Sequence, residues 1–359
     1  MTWLIILGGL ALLTLGAELL VRGAVGLAEA VRMAPLVIGL TVVAYGTSAP
    51  ELAVSVSGSM HGDGGVALGN VMGSNIFNVL FILGVSALIV PMAASKQLIR
   101  LDVPVMIGTS LLAWGFASDG AISRVEGFVL CGLAVAYTAA LILLGRRSVA
   151  AEAQPAGDEA TKRPRPLWWS ILLAVVGLAM LVLGARWLVA GAVDIASRLG
   201  VSDLLIGLTI VAAGTSLPEV ATSLMAAIRG QRDIAIGNVV GSNVFNLLAV
   251  LGGSAAVVGG GVPVAEAARC FDLPVMVAVA ACCFPIFLTG GRIERWEGAL
   301  FFGGYVAYLV YLVLHAFDHP GAEGYRFAMV YVVLPLAGLA ILCSVIGWLC
   351  KPLEKSAQK

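Results

Sequence analysis

Long apolar runs separated by short polar breaks make up most of this chain. Each is near the roughly 20 residues that a membrane-crossing helix needs. The runs are continuous, without the in–out alternation of a transmembrane β-barrel strand. They predict helical spans near 2–21, 36–60, 66–90, 101–118 and 122–144. After a polar break come spans near 167–190, 203–228, 234–259, 271–289 and 296–315, and an eleventh at 327–349. The break itself, GRRSVAAEAQPAGDEATKRPRP at 145–166, mixes Pro, Ala and both signs of charge, and reads as a solvated linker.

Composition agrees with this pattern. The 359 residues are 60% hydrophobic and 12% charged, against about 45–50% apolar and about 25% charged in ordinary soluble domains. The mean hydropathy is +1.01. The 44 glycines suit helices that approach closely in lipid. The first span lacks a basic leader, its first charge being Glu18, so it is expected to be retained rather than cleaved. Net charge is zero, but its placement is uneven. Threading eleven spans puts 15 of the 21 Lys and Arg on one side and four on the other, with Arg22 and Arg186 near span ends. Basic residues favour the cytoplasmic side. The N-terminus is therefore expected outside and the C-terminus inside.

The chain also contains itself twice. GLTVVAYGTSAPE at 39–51 matches GLTIVAAGTSLPE at 207–219 in 10 of 13 positions. GNVMGSNIFNVLFILG at 69–84 matches GNVVGSNVFNLLAVLG at 237–252 in 11 of 16. Both pairs are offset by 168 residues. Two five-helix repeats follow, at 1–144 and 167–315, joined by the linker at 145–166. An unpaired helix and short tail make up 316–359. An odd number of spans per repeat makes the second copy enter the membrane from the opposite face. Inverted repeats of this kind mark secondary transporters, whose sites lie near the midplane on interrupted helices.

The matched segments carry polar chemistry that lipid does not tolerate unpaired. Pro50 and Pro218 lack an N–H, so the carbonyls of Gly46 and Gly214 lose a helical partner. Bare carbonyls at membrane depth survive only against protein or a water-filled cavity. Thr47, Ser48, Thr215 and Ser216 add hydroxyls beside them. Glu51 and Glu219 lie one turn beyond the threonines, and intramembrane carboxylates mark ion or proton paths. In the second motif Ser74 and Asn78, and likewise Ser242 and Asn246, are four residues apart and share a face. Asn75 and Asn243 point about 100° away and are expected to bond to a neighbouring helix. The donors are all oxygen, which suits hard cations such as calcium and not soft metals. Two carboxylates balance one divalent ion or two monovalent ones.

Two copies of GTSxPE, each followed by GNxxGSNxFN, resemble the repeats of the cation/calcium exchanger family, in particular its compact prokaryotic sodium/calcium exchangers. The resemblance covers about 1–315. It implies an all-α polytopic fold with a ten-helix core and alternating access, the long first and sixth helices sliding across the rest. It implies an antiporter that exchanges Ca²⁺ for Na⁺; the short linker and the lack of a targeting segment favour a plasma membrane. The implied ion ligands are Thr47, Ser48, Glu51, Ser74 and Asn78, then Thr215, Ser216, Glu219, Ser242 and Asn246, with the backbone carbonyls of Ala44 and Ala212. Exchangers of this kind often carry Asp at one of the last-Asn positions. Asn78 and Asn246 depart from that pattern, which leaves sodium against proton coupling open.

Other signals are smaller. Glu18 and Arg22 form a pair four residues apart, and Arg186 holds the Glu18-equivalent position; local pairing and snorkelling explain them. Asp102 and Asp272, each two residues before a proline, read as helix N-caps. The six cysteines lie in or beside apolar spans as small hydrophobes. No cofactor is expected beyond the transported ions, and nothing suggests nucleic-acid binding. No nucleophile–base pair or phosphate loop suggests an enzyme. A cation channel using the same oxygens is the alternative from another class.

Overall fold

The computed structural model describes residues 2–62, 64–152, 166–200, 212–288 and 290–329, with 331, 338, 342 and 346 beyond them. The described chain is helical. It runs α1 (Thr2–Val31), α2 (Pro35–Thr47), α3 (Ala49–Met60), α4 (Gly64–Ile89), α5 (Leu98–Asp119) and α6 (Arg124–Glu152). Then come α7 (Leu167–Arg198), α8 (Ala212–Gly214), α9 (Leu217–Ile228), α10 (Arg232–Val257), α11 (Ala268–Leu288), α12 (Arg295–Ala316) and α13 (Ala322–Ala328). Among the described residues, 8 helices are long and apolar enough to cross a membrane, and 9 if α2 and α3 count as one broken span. The fold is that of an all-α polytopic membrane protein. The expected span at 203–228 is described only from 212, where it forms α8 and α9. Most of the expected eleventh span and residues 153–165 of the linker lie outside the described residues, and α6 continues through Glu152.

Burial identifies the centre. The apolar window of α10 is 94% buried and that of α4 72%, against 11% for α12 and 17% for α6. Thus α4 and α10, which carry the GNxxGSNxFN motifs, are enclosed, while the outer helices leave apolar side chains such as Phe128 and Val135 exposed. In a soluble protein such a surface would signal aggregation; here it suits a lipid solvent.

The longest helices, α1 and α7 at 30 and 32 residues, pack against each other antiparallel. Glycine makes that approach close. A Cβ added at Gly16 would stand 2.8 Å from the Gly177 carbonyl oxygen, and one at Gly184 would stand 2.9 Å from that of Gly9. Gly9 and Gly16 are seven residues apart, as are Gly177 and Gly184, so the bare positions recur on one face.

Two short ladders join the halves of the chain. β1 (Met92–Ala93) pairs antiparallel with β4 (Arg292–Ile293), and β2 (Ala121–Ile122) pairs antiparallel with β3 (Val262–Pro263). The loop after α4 is thereby tied to the loop before α12, and the loop before α6 to the loop after α10.

Asp102 and Asp272 do not cap helices. Neither they nor their neighbours show the non-helical turn of an N-cap: Asp102 ends a π-helical segment, Leu98–Asp102, with φ −74° and ψ −40°. Its Oδ1 instead accepts the Tyr137 hydroxyl at 3.0 Å, and Asp272 Oδ1 accepts that of Tyr308 at 3.0 Å. A tertiary partner has displaced the local one, pinning α5 to α6 and α11 to α12. The Glu18–Arg22 pair forms as expected at 2.6 Å, and Arg229 at the end of α9 joins it at 2.8 Å.

Candidate ion-binding site

The site begins with a break in the helix. Ser48 takes φ −83° and ψ 7°, off the α-helical values, between α2 and α3, which are bent by 46°. The Ser48 N–H still reaches Ala44 O at 3.0 Å, and the helix restarts when the Leu52 N–H reaches Ser48 O. Pro50 lies in the first turn of α3, where its missing N–H is harmless to the new helix. Ser216 repeats this with φ −89° and ψ 7° ahead of α9, with Pro218 in the equivalent place. Each break puts Glu51 or Glu219 in the first turn of a helix, where the N-terminal dipole favours a carboxylate.

The two halves then exchange partners. The Ser48 hydroxyl donates to Glu219 Oε1 at 2.9 Å, and the Ser216 hydroxyl to Glu51 Oε1 at 3.0 Å. Ser216 Oγ also lies 3.1 Å from Ser74 Oγ. Each glutamate is thus held by the serine of the opposite repeat, through one oxygen only. Both glutamates are 1% exposed.

The other oxygens are left over. Glu51 Oε2, Glu219 Oε2, Asn78 Oδ1, Asn246 Oδ1 and Ser242 Oγ are buried and accept no hydrogen bond from the protein. Orphaned buried acceptors cost about 1–3 kcal/mol each, and more when charged. Four of the five are acceptor-only atoms, two of them on carboxylates; a cation satisfies them and also neutralises the carboxylate charge, which neutral donors do not. Asn78 and Asn246 each open a π-helical segment, Asn78–Leu83 and Asn246–Leu251. Such widened turns recur at functional sites because they disturb the regular ladder.

Most of the residues picked out by sequence lie on these elements. Thr47, Ser48, Glu51, Ser74, Asn78, Ser216, Glu219, Ser242 and Asn246 are all buried, and Thr215 is half-buried. The hydrogen bonds above join Ser48 to Glu219 and Glu51 to Ser216 and Ser74. The threonine hydroxyls also bond to asparagines of the opposite half. Thr47 Oγ1 donates to Asn238 Oδ1 at 3.1 Å and lies 3.1 Å from Val43 O; Thr215 Oγ1 donates to Asn70 Oδ1 at 3.4 Å. The Ala44 carbonyl accepts the Ser48 N–H, and Ala212 is the first residue of α8.

Sequence reasoning missed Asn70 and Asn238. Asn70 Nδ2 donates to Ser55 Oγ at 2.9 Å and lies 3.4 Å from Glu51 O; Asn238 Nδ2 donates to Ser223 Oγ at 2.9 Å and lies 3.5 Å from Glu219 O. Each amide ties its own glutamate helix to the threonine of the other half. The signal was present: both asparagines repeat at the 168-residue offset, and a serine follows each glutamate by four residues. Among the described residues no three His, Cys, Asp or Glu side chains cluster, so the charge at this site rests on two carboxylates.

Comparison with known proteins places the chain in a family. The sodium/calcium exchanger protein family model matches residues 1–143 and 169–314. The putative antiporter CaxA of Alkalimonas amylolytica is 39% identical over 307 residues, covering 84% of this chain and 96% of that protein. The sodium/calcium exchanger MaX1 of Methanosarcina acetivorans is 34% identical over 344 residues, covering 86% and 98%. Among solved structures, the sodium-calcium exchanger NCX_Mj, soaked with Na⁺ and Ca²⁺, superposes with a TM-score of 0.74 at 31% identity, covering 86% of this chain and 97% of that one. Matched along both halves, and with relatives this similar over most of its length, the chain belongs to the sodium/calcium exchanger family.

Proposed function

We propose that this protein exchanges Ca²⁺ for Na⁺ across the plasma membrane by alternating access, with the ions bound by Glu51, Glu219 and the neutral oxygens around them. The observation that carries the reading is the set of buried acceptors without donors: Glu51 Oε2, Glu219 Oε2, Asn78 Oδ1 and Asn246 Oδ1. Calcium takes six to eight oxygens in flexible geometry. The serine hydroxyls of Ser48, Ser74, Ser216 and Ser242, the threonines Thr47 and Thr215 and the carbonyls of Ala44 and Ala212 complete the ligand set. Two carboxylates neutralise one Ca²⁺ or two Na⁺. Left empty, they form a buried like-charge pair whose desolvation costs several kcal/mol per ion. That cost opposes movement of the empty carrier and favours exchange over leak.

Three features support the transport cycle. The matched motifs at a fixed offset favour two inverted five-helix repeats, each exposing the site to one side in turn. The strand ladders fit that threading: with the N-terminus outside, β1 and β4 both fall on the inner side, and β2 and β3 both on the outer. The Lys and Arg excess on the inner side sets the same orientation, with the C-terminus cytoplasmic. The glycine seam packs α1 and α7 closely together, which favours their moving as one unit across the rest. Sodium as the coupling ion is favoured by relatives whose names carry it, MaX1 and NCX_Mj.

The test is ⁴⁵Ca²⁺ uptake into proteoliposomes under an outward Na⁺ gradient and, separately, under a pH gradient. Uptake driven by sodium and lost in both Glu51→Gln and Glu219→Gln is the expected result. Uptake driven by the pH gradient alone moves the protein to proton coupling. Ca²⁺ flux that continues without any counter-ion makes it a channel.

A further inference from the structure

An amide side chain has two nearly isosteric ends of opposite polarity. Its carbonyl attracts a cation and its NH₂ repels one. Asn78 and Asn246 could therefore serve a cation site or spoil it, depending on which end faces in. We propose that Asn75 and Asn243 decide this: they are positioning residues that force Asn78 and Asn246 to present oxygen to the transported cation. The inference deepens the exchanger reading of this site and rests on it.

Two groups in this cluster have an unambiguous sense. A backbone carbonyl can only accept. The Asn75 carbonyl lies 3.4 Å from Asn243 Nδ2, and the Asn243 carbonyl 3.3 Å from Asn75 Nδ2. Each amide nitrogen also faces a methionine sulfur, Asn243 that of Met106 and Asn75 that of Met276. Sulfur is a weak acceptor as well. Both NH₂ groups are thereby committed, and both side-chain oxygens are turned the other way.

Those oxygens can be met only by donors. Asn78 Nδ2 donates to Asn243 Oδ1 at 3.0 Å, and Asn246 Nδ2 donates to Asn75 Oδ1 at 3.2 Å. Their own carbonyl oxygens, Asn78 Oδ1 and Asn246 Oδ1, are what remains, buried and unpaired. Polarity is relayed from a backbone carbonyl, through one amide, to a second amide that ends at the site. The relay crosses between α4 and α10 and returns, so the two halves set each other. Asn75 and Asn243 are each 2% exposed, and water does not compete for these bonds.

Without the relay, either amide could turn its NH₂ inward and donate to acceptors that otherwise await a cation. The four-asparagine ring prevents that self-satisfied state. An aspartate at position 78 has no wrong end, since both its oxygens accept. It makes the relay unnecessary, and against an intact relay it sets acceptor against acceptor at Asn243 Oδ1.

This yields a double-mutant test with a sign that a packing role would not produce. The full-length protein is purified as wild type, Asn243→Leu, Asn78→Asp and the double variant. Equilibrium ⁴⁵Ca²⁺ binding is measured, with KM and kcat from initial uptake. Asn243→Leu is expected to weaken Ca²⁺ binding at least ten-fold and to raise KM more than it lowers kcat. Asn78→Asp is expected to recover at least ten-fold in the Asn243→Leu background and little or nothing in the native one. An equal gain in both backgrounds would mean that added charge alone is acting, and overturns the proposal; so does wild-type affinity in Asn243→Leu. If Asn243→Leu does not purify as a monodisperse protein, the mirror pair Asn75→Leu with Asn246→Asp carries the same comparison. Failure of the wild type to bind Ca²⁺ is a separate outcome: it removes the exchanger reading of the site, and this inference with it.

Discussion

Glu51→Gln is the perturbation whose consequences follow most directly from the geometry. Glu51 Oε1 is held by Ser216 at 3.0 Å and Oε2 by nothing. Glutamine keeps an oxygen for Ser216 and removes the charge that has no partner. Two effects follow. The ion-free protein should be at least as stable as wild type, because a buried charge without a partner costs more than the neutral amide that replaces it. Stabilisation by Ca²⁺ should vanish, because one of the two balancing charges is lost. A ligand at 100 times its Kd stabilises by about 2.7 kcal/mol. With about 2.1 cal/mol/K of unfolding entropy per residue, a chain of 359 residues should melt about 4 °C higher when Ca²⁺ is bound. The assay is thermal unfolding in detergent at pH 8, with chelator and with saturating Ca²⁺. Wild type should shift by about that amount, and Glu51→Gln and Glu219→Gln by less than about 1 °C. A full Ca²⁺ shift in either variant would refute the assignment of these carboxylates. A Glu51→Gln protein markedly less stable than wild type without ions would refute the claim that the Glu51 charge is uncompensated in the ion-free protein.

Other predictions concern the frame around the site. Asn238→Ala removes the acceptor for Thr47 and the donor to Ser223, and Asn70→Ala does the same for Thr215 and Ser55; each should raise the Ca²⁺ KM of uptake about ten-fold, corresponding to about 1.4 kcal/mol. Gly16→Ala places a Cβ 2.8 Å from the Gly177 carbonyl and should lower the melting temperature by a few degrees, since overpacking costs about 1–3 kcal/mol; an unchanged melting temperature and transport rate would show that α1 and α7 are not in close contact. Tyr137→Phe strips Asp102 Oδ1 of its hydroxyl donor and should destabilise by about 1–3 kcal/mol in thermal unfolding while leaving Ca²⁺ affinity in equilibrium binding within two-fold, because Asp102 braces α5 against α6 and holds no ion.

Much of the site was legible because it is written twice. Glu51 and Glu219, with their serines and asparagines, stand out as polar residues repeated inside apolar runs, and the broken helix follows from Pro50 and Pro218. What the repeat does not reveal is who bonds to whom. That Ser48 serves Glu219 while Ser216 serves Glu51 depends on how α2 and α9 approach each other, which is a property of packing. Asn70 and Asn238 were hidden for the same reason: an amide inside a motif looks like a ligand or a spacer until its partners in both halves of the chain are seen. Asp102 and Asp272 failed in the opposite direction. An aspartate two residues before a proline matches a local capping rule, and a tyrosine thirty-five residues away in sequence overrides it. The seven-residue spacing of Gly9 and Gly16 was visible in the chain, but its meaning required the facing glycines of α7.

The most direct test of the account is to locate the ion itself. Crystals of the full-length protein soaked in Sr²⁺, a divalent stand-in for Ca²⁺ with usable anomalous scattering, would show it. The account predicts one anomalous peak in direct contact with Glu51 Oε2 and Glu219 Oε2, at distances slightly longer than the roughly 2.3–2.6 Å of calcium, with Asn78 or Asn246 Oδ1 turned toward it, directly or through one water. Strontium bound elsewhere in the chain, with these oxygens still unpaired, would contradict it.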